Sequence, residues 1–277
     1  MAGKSLADDP RLSLIVGGRP VGAHLQAAID SGQVVEHPDG TLSRQTPHEL
    51  QPDMPGDSAY LYHEGDFCSP CQKLNVFLFQ VAYSKSAVPF GCRNCFKVKV
   101  VSRSLRQLMA VRDVAVALPR SSKSGMEGNM QQTPHIYATY VYNTGLEQAR
   151  QTYKTLRSAV DANPKLGPDV QIFIKRGCTN YEHHCGPSDR YTFDPGLEDV
   201  ESYLLPRIRQ SPPKPGIDRA VAERFLVFKF VQMAYGLGDE TYKDFTGEKD
   251  LYPAVVQYPP DGDPPPHLDV GARDESS

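Results

Sequence analysis

Two pairs of cysteines constrain this chain more than any other feature of its sequence. They are Cys68-Ser-Pro-Cys71 and Cys92-Arg-Asn-Cys95, with twenty residues between Cys71 and Cys92. Thiolates two residues apart on a tight turn can share one metal ion. A second such turn, brought back beside the first, completes a tetrahedral four-sulfur site, the closed geometry of structural zinc. Cys68, Cys71, Cys92 and Cys95 are therefore the expected ligands of Zn2+. Zinc is favoured over iron because a closed four-thiolate site in a cytosol-like setting holds zinc more often. Four sulfur ligands leave no open coordination position, so the ion is expected to supply folding energy and to perform no chemistry.

The spacing C-x2-C-x20-C-x2-C resembles a zinc ribbon over roughly the thirty residues that carry it. The same cysteines bear on compartment. Six in 277 residues are too few for a disulfide-dense secreted scaffold, and their pairing suits reduced thiols, so a cytoplasmic location is expected. No apolar run reaches eighteen residues, and no membrane span is expected. The first twenty residues carry an early Asp pair and no continuous apolar core, unlike a signal peptide.

Taken in order, residues 1–59 read as an irregular arm with one short helix over 21–31, ended by Gly32. Residues 60–101 form the zinc-ribbon-like module, whose central run 74–83 (LNVFLFQVAY) suits a buried strand or a short helix. An α/β domain spans 96–209. Strands are expected at 96–101, 135–142 and 170–175, with helices between them ended by Pro119 and by Asn163-Pro164. The segment 120–134 reads as a loop rich in Ser, Gly and Gln. The fold class is thus α/β or α+β, a small mixed sheet with helices on one face behind a four-Cys module. A stiff linker at 210–216 precedes a helical region at 217–257. Residues 258–277 carry five acids against one Arg and read as a disordered, Pro-rich acidic tail.

Two further constellations carry chemistry. Cys178 and Cys185 flank His183 and His184 in a loop after the third strand, where α/β proteins place functional groups. With Lys175, Arg176, Tyr181 and Glu182 this is the densest collection of reactive groups in the chain. It is a candidate second metal site, redox pair or catalytic centre, with Cys178, Glu182, His183 and His184 as catalytic candidates. The second constellation is basic. Between Arg93 and Lys123 stand eight Lys or Arg and a single acid, Asp113. Arg93, Lys97, Lys99, Arg103 and Arg106 surround the second cysteine pair. Arg150, Lys154 and Arg157 share one face of the next helix. A concentrated positive field beside a zinc module is the footprint of a phosphate-binding surface. Motifs for nucleotide loops, nucleophile elbows and zinc proteases are absent.

The sequence reading that follows is a cytoplasmic zinc-binding protein whose basic surface meets nucleic acid or an acidic protein partner, within a larger assembly. An enzyme using the 175–190 loop, with zinc as a brace, is the alternative. A structural subunit whose extensions order on association is the third. The direction of the basic face separates the first two: an open surface favours binding, and a pocket shared with Cys178 and His183 favours catalysis.

Overall fold

The computed structural model describes residues 5–45, 60–66, 70–127, 135–209 and 218–253. Cys68, the segment 46–59, the linker at 210–217 and the tail from 254 onward lie outside those residues.

The alternating segment FKVKVVS sets the architecture. As strand β6 (Phe96–Ser102) it turns Val98 and Val100 to one side and Lys97 and Lys99 to the other. It pairs with β8 (Tyr137–Asn143) on one edge and β9 (Gln171–Arg176) on the other. Strand β8 pairs with β7 (Ser122–Met126), and β7 with β5 (Tyr60–His63). The order is β5-β7-β8-β6-β9, and every pairing is antiparallel. Helix α2 (Leu105–Val116) links β6 to β7, and α3 (Leu146–Ala162) links β8 to β9. The run β6-α2-β7-β8-α3-β9 is thus two interleaved split β-α-β units, a ferredoxin-like arrangement with β5 added at one edge.

The α-and-β class and the helix-covered face match the sequence expectation. The mixed sheet of three strands does not. Strand β7 (SKSGM) is polar and reads as loop, yet Ser122 and Ser124 are buried and Ser124 Oγ bonds Thr139 Oγ1 at 2.9 Å. Its hairpin with β8 reverses the chain and makes the whole sheet antiparallel. Helices α2 and α3 cover the Val98 face, where Val111, Ala115, Leu156 and Val160 close over Val100 and Val141. Helix α6 (Arg219–Gly236) docks Leu226 and Phe230 against Leu61, Leu105 and Leu108.

The described part of the amino-terminal arm, residues 5–45, is packed and holds two short hairpins beside its one α-helix. The hairpin of β1 (Ile15–Val16) with β2 (Arg19–Pro20) leads into α1 (Val21–Asp30), followed by the hairpin of β3 (Val34–Glu36) with β4 (Leu42–Arg44). Leu12, Val21 and Leu25 are fully buried with Leu78, Phe79 and Leu204. Each buried side chain of this size contributes about 1.5–3 kcal/mol, which is why this segment docks despite its polar flanks.

The zinc-ribbon hairpin is not what the described residues build. Between Cys71 and Cys92 lies a π helix, Gln72–Ala82, in which Tyr83 N–H bonds the carbonyl of Leu78 five residues back. Strands β5 and β6 both belong to the large sheet. The apolar run that sequence assigns to a strand or short helix is the latter, with Leu74, Phe77, Leu78, Phe79, Val81 and Ala82 buried.

Candidate functional site

The face of the sheet opposite α2 and α3 carries lysines. Register fixes their neighbours: Lys97 lies between Tyr142 and Lys175, Lys99 between Tyr140 and Phe173, and Lys123 between Tyr62 and Tyr140. A period-two strand whose alternate residues are lysine must either face solvent or hold those charges in a site. Lys97 and Lys99 are only 5% and 4% exposed, which decides for the second.

Each buried ammonium has a local arrangement. Lys99 pairs with Glu127 at 3.3 Å. Glu127 Oε1 also accepts from Tyr60 Oη at 2.6 Å and Tyr140 Oη at 2.7 Å. Burial pushes the Lys99 pKa down, against the opposing pull of Glu127. Lys175 donates to Glu182 at 2.7 Å and to Thr179 Oγ1 at 2.8 Å. Lys97 Nζ donates to Cys178 Sγ at 3.1 Å and lies over the Tyr142 ring. Burial alone would lower its pKa, but the neighbouring sulfur and phenol outweigh that and hold it above the ordinary value. Lys123 lies 3.5 Å from the Tyr60 ring centroid and 5.0 Å from that of Tyr140. Burial first, then the like charge of Lys97, lowers its pKa to about 8. Desolvation and the Glu127 carboxylate raise the Tyr60 and Tyr140 phenols far above their usual range, so both remain donors.

These groups surround a pocket of about 270 Å³. Tyr60, Lys97, Lys123, Glu127, Tyr140 and Lys175 come from the sheet and its margin. Asn75 comes from the π helix, and Cys178, Thr179 and Asn180 from the start of helix α4 (Thr179–Cys185). A single glycine delivers Cys178. Gly177 N–H bonds the carbonyl of Cys95, extending the β6–β9 ladder, and its φ of +68° then turns the chain. Only glycine adopts that conformation without a Cβ penalty, and a Cβ here would meet the Tyr181 ring at 3.3 Å.

The other thiols gather nearby. Cys92 and Cys95 are buried, and burial raises both pKa values. The sulfurs of Cys71, Cys95 and Cys178 are close enough to Cys92 to raise it further. The loop that presents Cys92 is clamped by Glu201 of α5 (Gly196–Leu204), which accepts from Phe90 N–H at 2.6 Å, Gly91 N–H at 2.8 Å and Tyr83 Oη at 3.1 Å. Among the described residues no group of three or more His, Cys, Asp or Glu side chains is arranged to hold a metal ion. Of the expected ligands, Cys68 lies outside those residues.

The predicted site residues thus divide. Cys178 enters the pocket, and Glu182 holds its Lys175. His183 and His184 are exposed, meet edge to face with ring centroids 4.8 Å apart, and do not line it. The basic patch does not form one surface. Lys97 and Lys99 turn inward, while Arg150, Lys154 and Arg157 ride on α3, which covers the opposite face. Arg150 pairs with Glu147 at 3.5 Å, and Arg157 with Asp161. Arg93 packs on the Phe90 ring, and Arg106 pairs with Asp244. Arg103 bonds Asp169 at 3.0 Å beside a second pocket at the far end of β6. The sequence pattern singles out none of Tyr60, Asn75, Glu127, Thr179 and Asn180, and it marks Lys123 only as the end of the basic segment. The available signal was the Lys-x-Lys alternation within an apolar strand.

No protein-family model, curated protein or solved structure matches this chain. Its own geometry defines a class: an α+β protein with a thiol held against a lysine in a small pocket on the sheet. Among the described residues no helix is long and apolar enough to cross a membrane.

Proposed function

We propose that this protein is an enzyme that works through the Cys178 sulfur in the sheet-face pocket. One observation carries the reading: the Lys97 ammonium lies 3.1 Å from Cys178 Sγ, inside a cavity large enough for a small substrate. A fixed cation beside a sulfur pairs with the negative charge that the sulfur carries as it attacks or departs. Cys178 is half-buried at the cavity wall, whereas Cys92 and Cys95 are enclosed. The chemistry supported is covalent catalysis: Sγ forms a bond to an electrophilic carbon as that carbon loses its leaving group, and water then releases product and restores the thiol. Lys97 acts as a positioning residue.

The test is alkylation with limiting iodoacetamide, mapped by peptide mass spectrometry. Cys178 is expected to react first, ahead of Cys185, which is also half-buried but whose sulfur lies against the Lys85 backbone carbonyl, not an ammonium. Lys97→Met should slow Cys178 about tenfold, from the loss of one charge-assisted contact. Lys97→Arg should keep most of the rate. Equal labelling of Cys178 and Cys185 in the unmodified protein would refute the reading.

A second reading keeps zinc on Cys68, Cys71, Cys92 and Cys95 as a brace for a protein that docks nucleic acid or an acidic partner in a larger assembly. It is supported by the closeness of Cys71 to Cys92 and Cys95 to Cys92. The brace is compatible with the enzyme reading. The docking role competes with it, and the inward turn of Lys97 and Lys99 weighs against an open basic face.

A further inference from the structure

The pocket's charges do not cancel. Lys99 faces Glu127 and Lys175 faces Glu182, and Lys97 faces the sulfur of Cys178. Lys123 is the exception: among the described residues its contacts are the faces of Tyr60 and Tyr140, with no carboxylate in ion-pair range. Tyr60 and Tyr140 donate their hydroxyl protons to Glu127, and neither neutral phenol supplies the negative charge that would balance an ammonium. An ammonium drawn into a partly desolvated site without an anion is unfavourable unless a ligand supplies one.

We infer that the molecule bound in this pocket is a small carboxylate whose single negative charge pairs with Lys123, leaving its reactive carbon toward Cys178. The inference rests on Cys178 being the nucleophile of this site. Three lines of chemistry select the carboxylate. One uncompensated cation matches a monoanion, and a phosphate dianion would need a second, which Lys97, Lys99 and Lys175 do not offer because each already has a partner. The cavity, about 270 Å³, lies just below the usual ligand-pocket range of about 300–1,000 Å³. The remaining polar groups on the wall, Asn75, Thr179 and Asn180, are neutral hydrogen-bonding groups suited to a polar carbon skeleton.

Charge has a burial consequence that fits. The Lys123 pKa is lowered by its surroundings to about 8, and an arriving carboxylate would restore its proton affinity, since an adjacent anion favours the charged form.

Two reagents of nearly equal size separate the possibilities: iodoacetate, a carboxylate, and iodoacetamide, its neutral counterpart. In both, Cys178 Sγ attacks the methylene carbon, the S–C bond forms, the C–I bond breaks and iodide departs. If Lys123 receives the carboxylate, iodoacetate should alkylate Cys178 at least as fast as iodoacetamide does, with a rate that saturates at rising concentration. Lys123→Met should lower the ratio of the iodoacetate rate to the iodoacetamide rate about tenfold, the worth of one charge-assisted hydrogen bond. Lys123→Arg should retain part of the preference. Lys175→Met, which removes a lysine already paired with Glu182, should change the ratio little.

Rapid iodoacetamide labelling with a slow, unsaturable iodoacetate reaction would overturn the carboxylate inference while sparing the thiol reading. Slow labelling by both reagents in the unmodified protein would overturn the thiol reading itself. An equal fall with both reagents in Lys123→Met, or an equal loss of preference in Lys175→Met, would show that Lys123 is not the receptor.

Discussion

Replacing Lys123 by Met should stabilise the protein while impairing its site, and the size of the effect follows from the pocket. Lys123 carries its charge on a half-buried stem between two tyrosine rings, and its pKa falls from the ordinary 10.5 to about 8. Each pH unit between those values corresponds to about 1.4 kcal/mol, so holding the charge in the fold costs about 3 kcal/mol at neutral pH. The cation–π contact with Tyr60 returns about 1 kcal/mol. Met keeps the length and the apolar stem without the charge, so the variant should gain about 2 kcal/mol at pH 7. The sign with pH is definite. Below pH 8 both folded and unfolded wild-type chains hold the Lys123 proton, and the cost is constant. Between about pH 8 and the ordinary lysine value the unfolded chain still holds it and the folded chain does not, so wild-type stability rises toward that of the variant. Urea unfolding of both proteins at pH 7, 8, 9 and 10 measures this directly, since other titrating groups are common to both. At a slope of about 3 kcal/mol per molar, the midpoint gap at pH 7 should be about 0.7 M and should shrink by pH 10. A variant less stable than wild type at pH 7, or a gap that stays constant up to pH 10, would refute the reasoning.

Other predictions follow from the framework around the pocket. Glu201→Ala should cost about 3–5 kcal/mol, because two backbone N–H groups and the Tyr83 hydroxyl lose their acceptor together; Glu201→Gln, which keeps one carbonyl oxygen, should cost less than half as much by thermal unfolding. Burial tends to raise the Asp239 pKa, but donation from Tyr137 Oη, Leu105 N–H and Thr241 outweighs it and holds the group below 3.8. Its stabilisation is therefore present above the ordinary Asp value and lost as pH falls through the lower folded value. Asp239→Asn should lower stability by about 2 kcal/mol at pH 7, and its gap from wild type should narrow as pH falls below the ordinary Asp value. Gly177→Ala should destabilise by about 1–2 kcal/mol through its left-handed backbone and slow Cys178 alkylation; unchanged labelling kinetics would mean that Gly177 does not set the position of the thiol. Elemental analysis should find about one zinc per chain, coupled to folding, and a folded, metal-free preparation would remove the zinc proposal.

The sequence by itself determined those elements whose periodicity is strong. The period-two run at 96–101, the aromatic strand ending at Asn143, the strand before Cys178 and the helices after Ser104 and Gly145 all follow from local pattern and capping. Sequence also marked Cys178 as chemically loaded, from the crowding of reactive groups after a strand. Tertiary structure decided what those groups meet. Lys97 and Lys99 count as surface cations in any local reading, because a strand does not reveal which of its faces will be covered. Pairing with β8 and β9 placed them on the face opposite α2 and α3, and the turn at Gly177 brought Cys178 onto the same face, eighty-one residues along the chain from Lys97. The polar strand β7 was invisible for a related reason: its serines are satisfied by partners across the sheet, so their burial depends on neighbours that a local window does not contain. Yet β7 is the strand that supplies Lys123, the pocket lysine with no carboxylate in ion-pair range among the described residues.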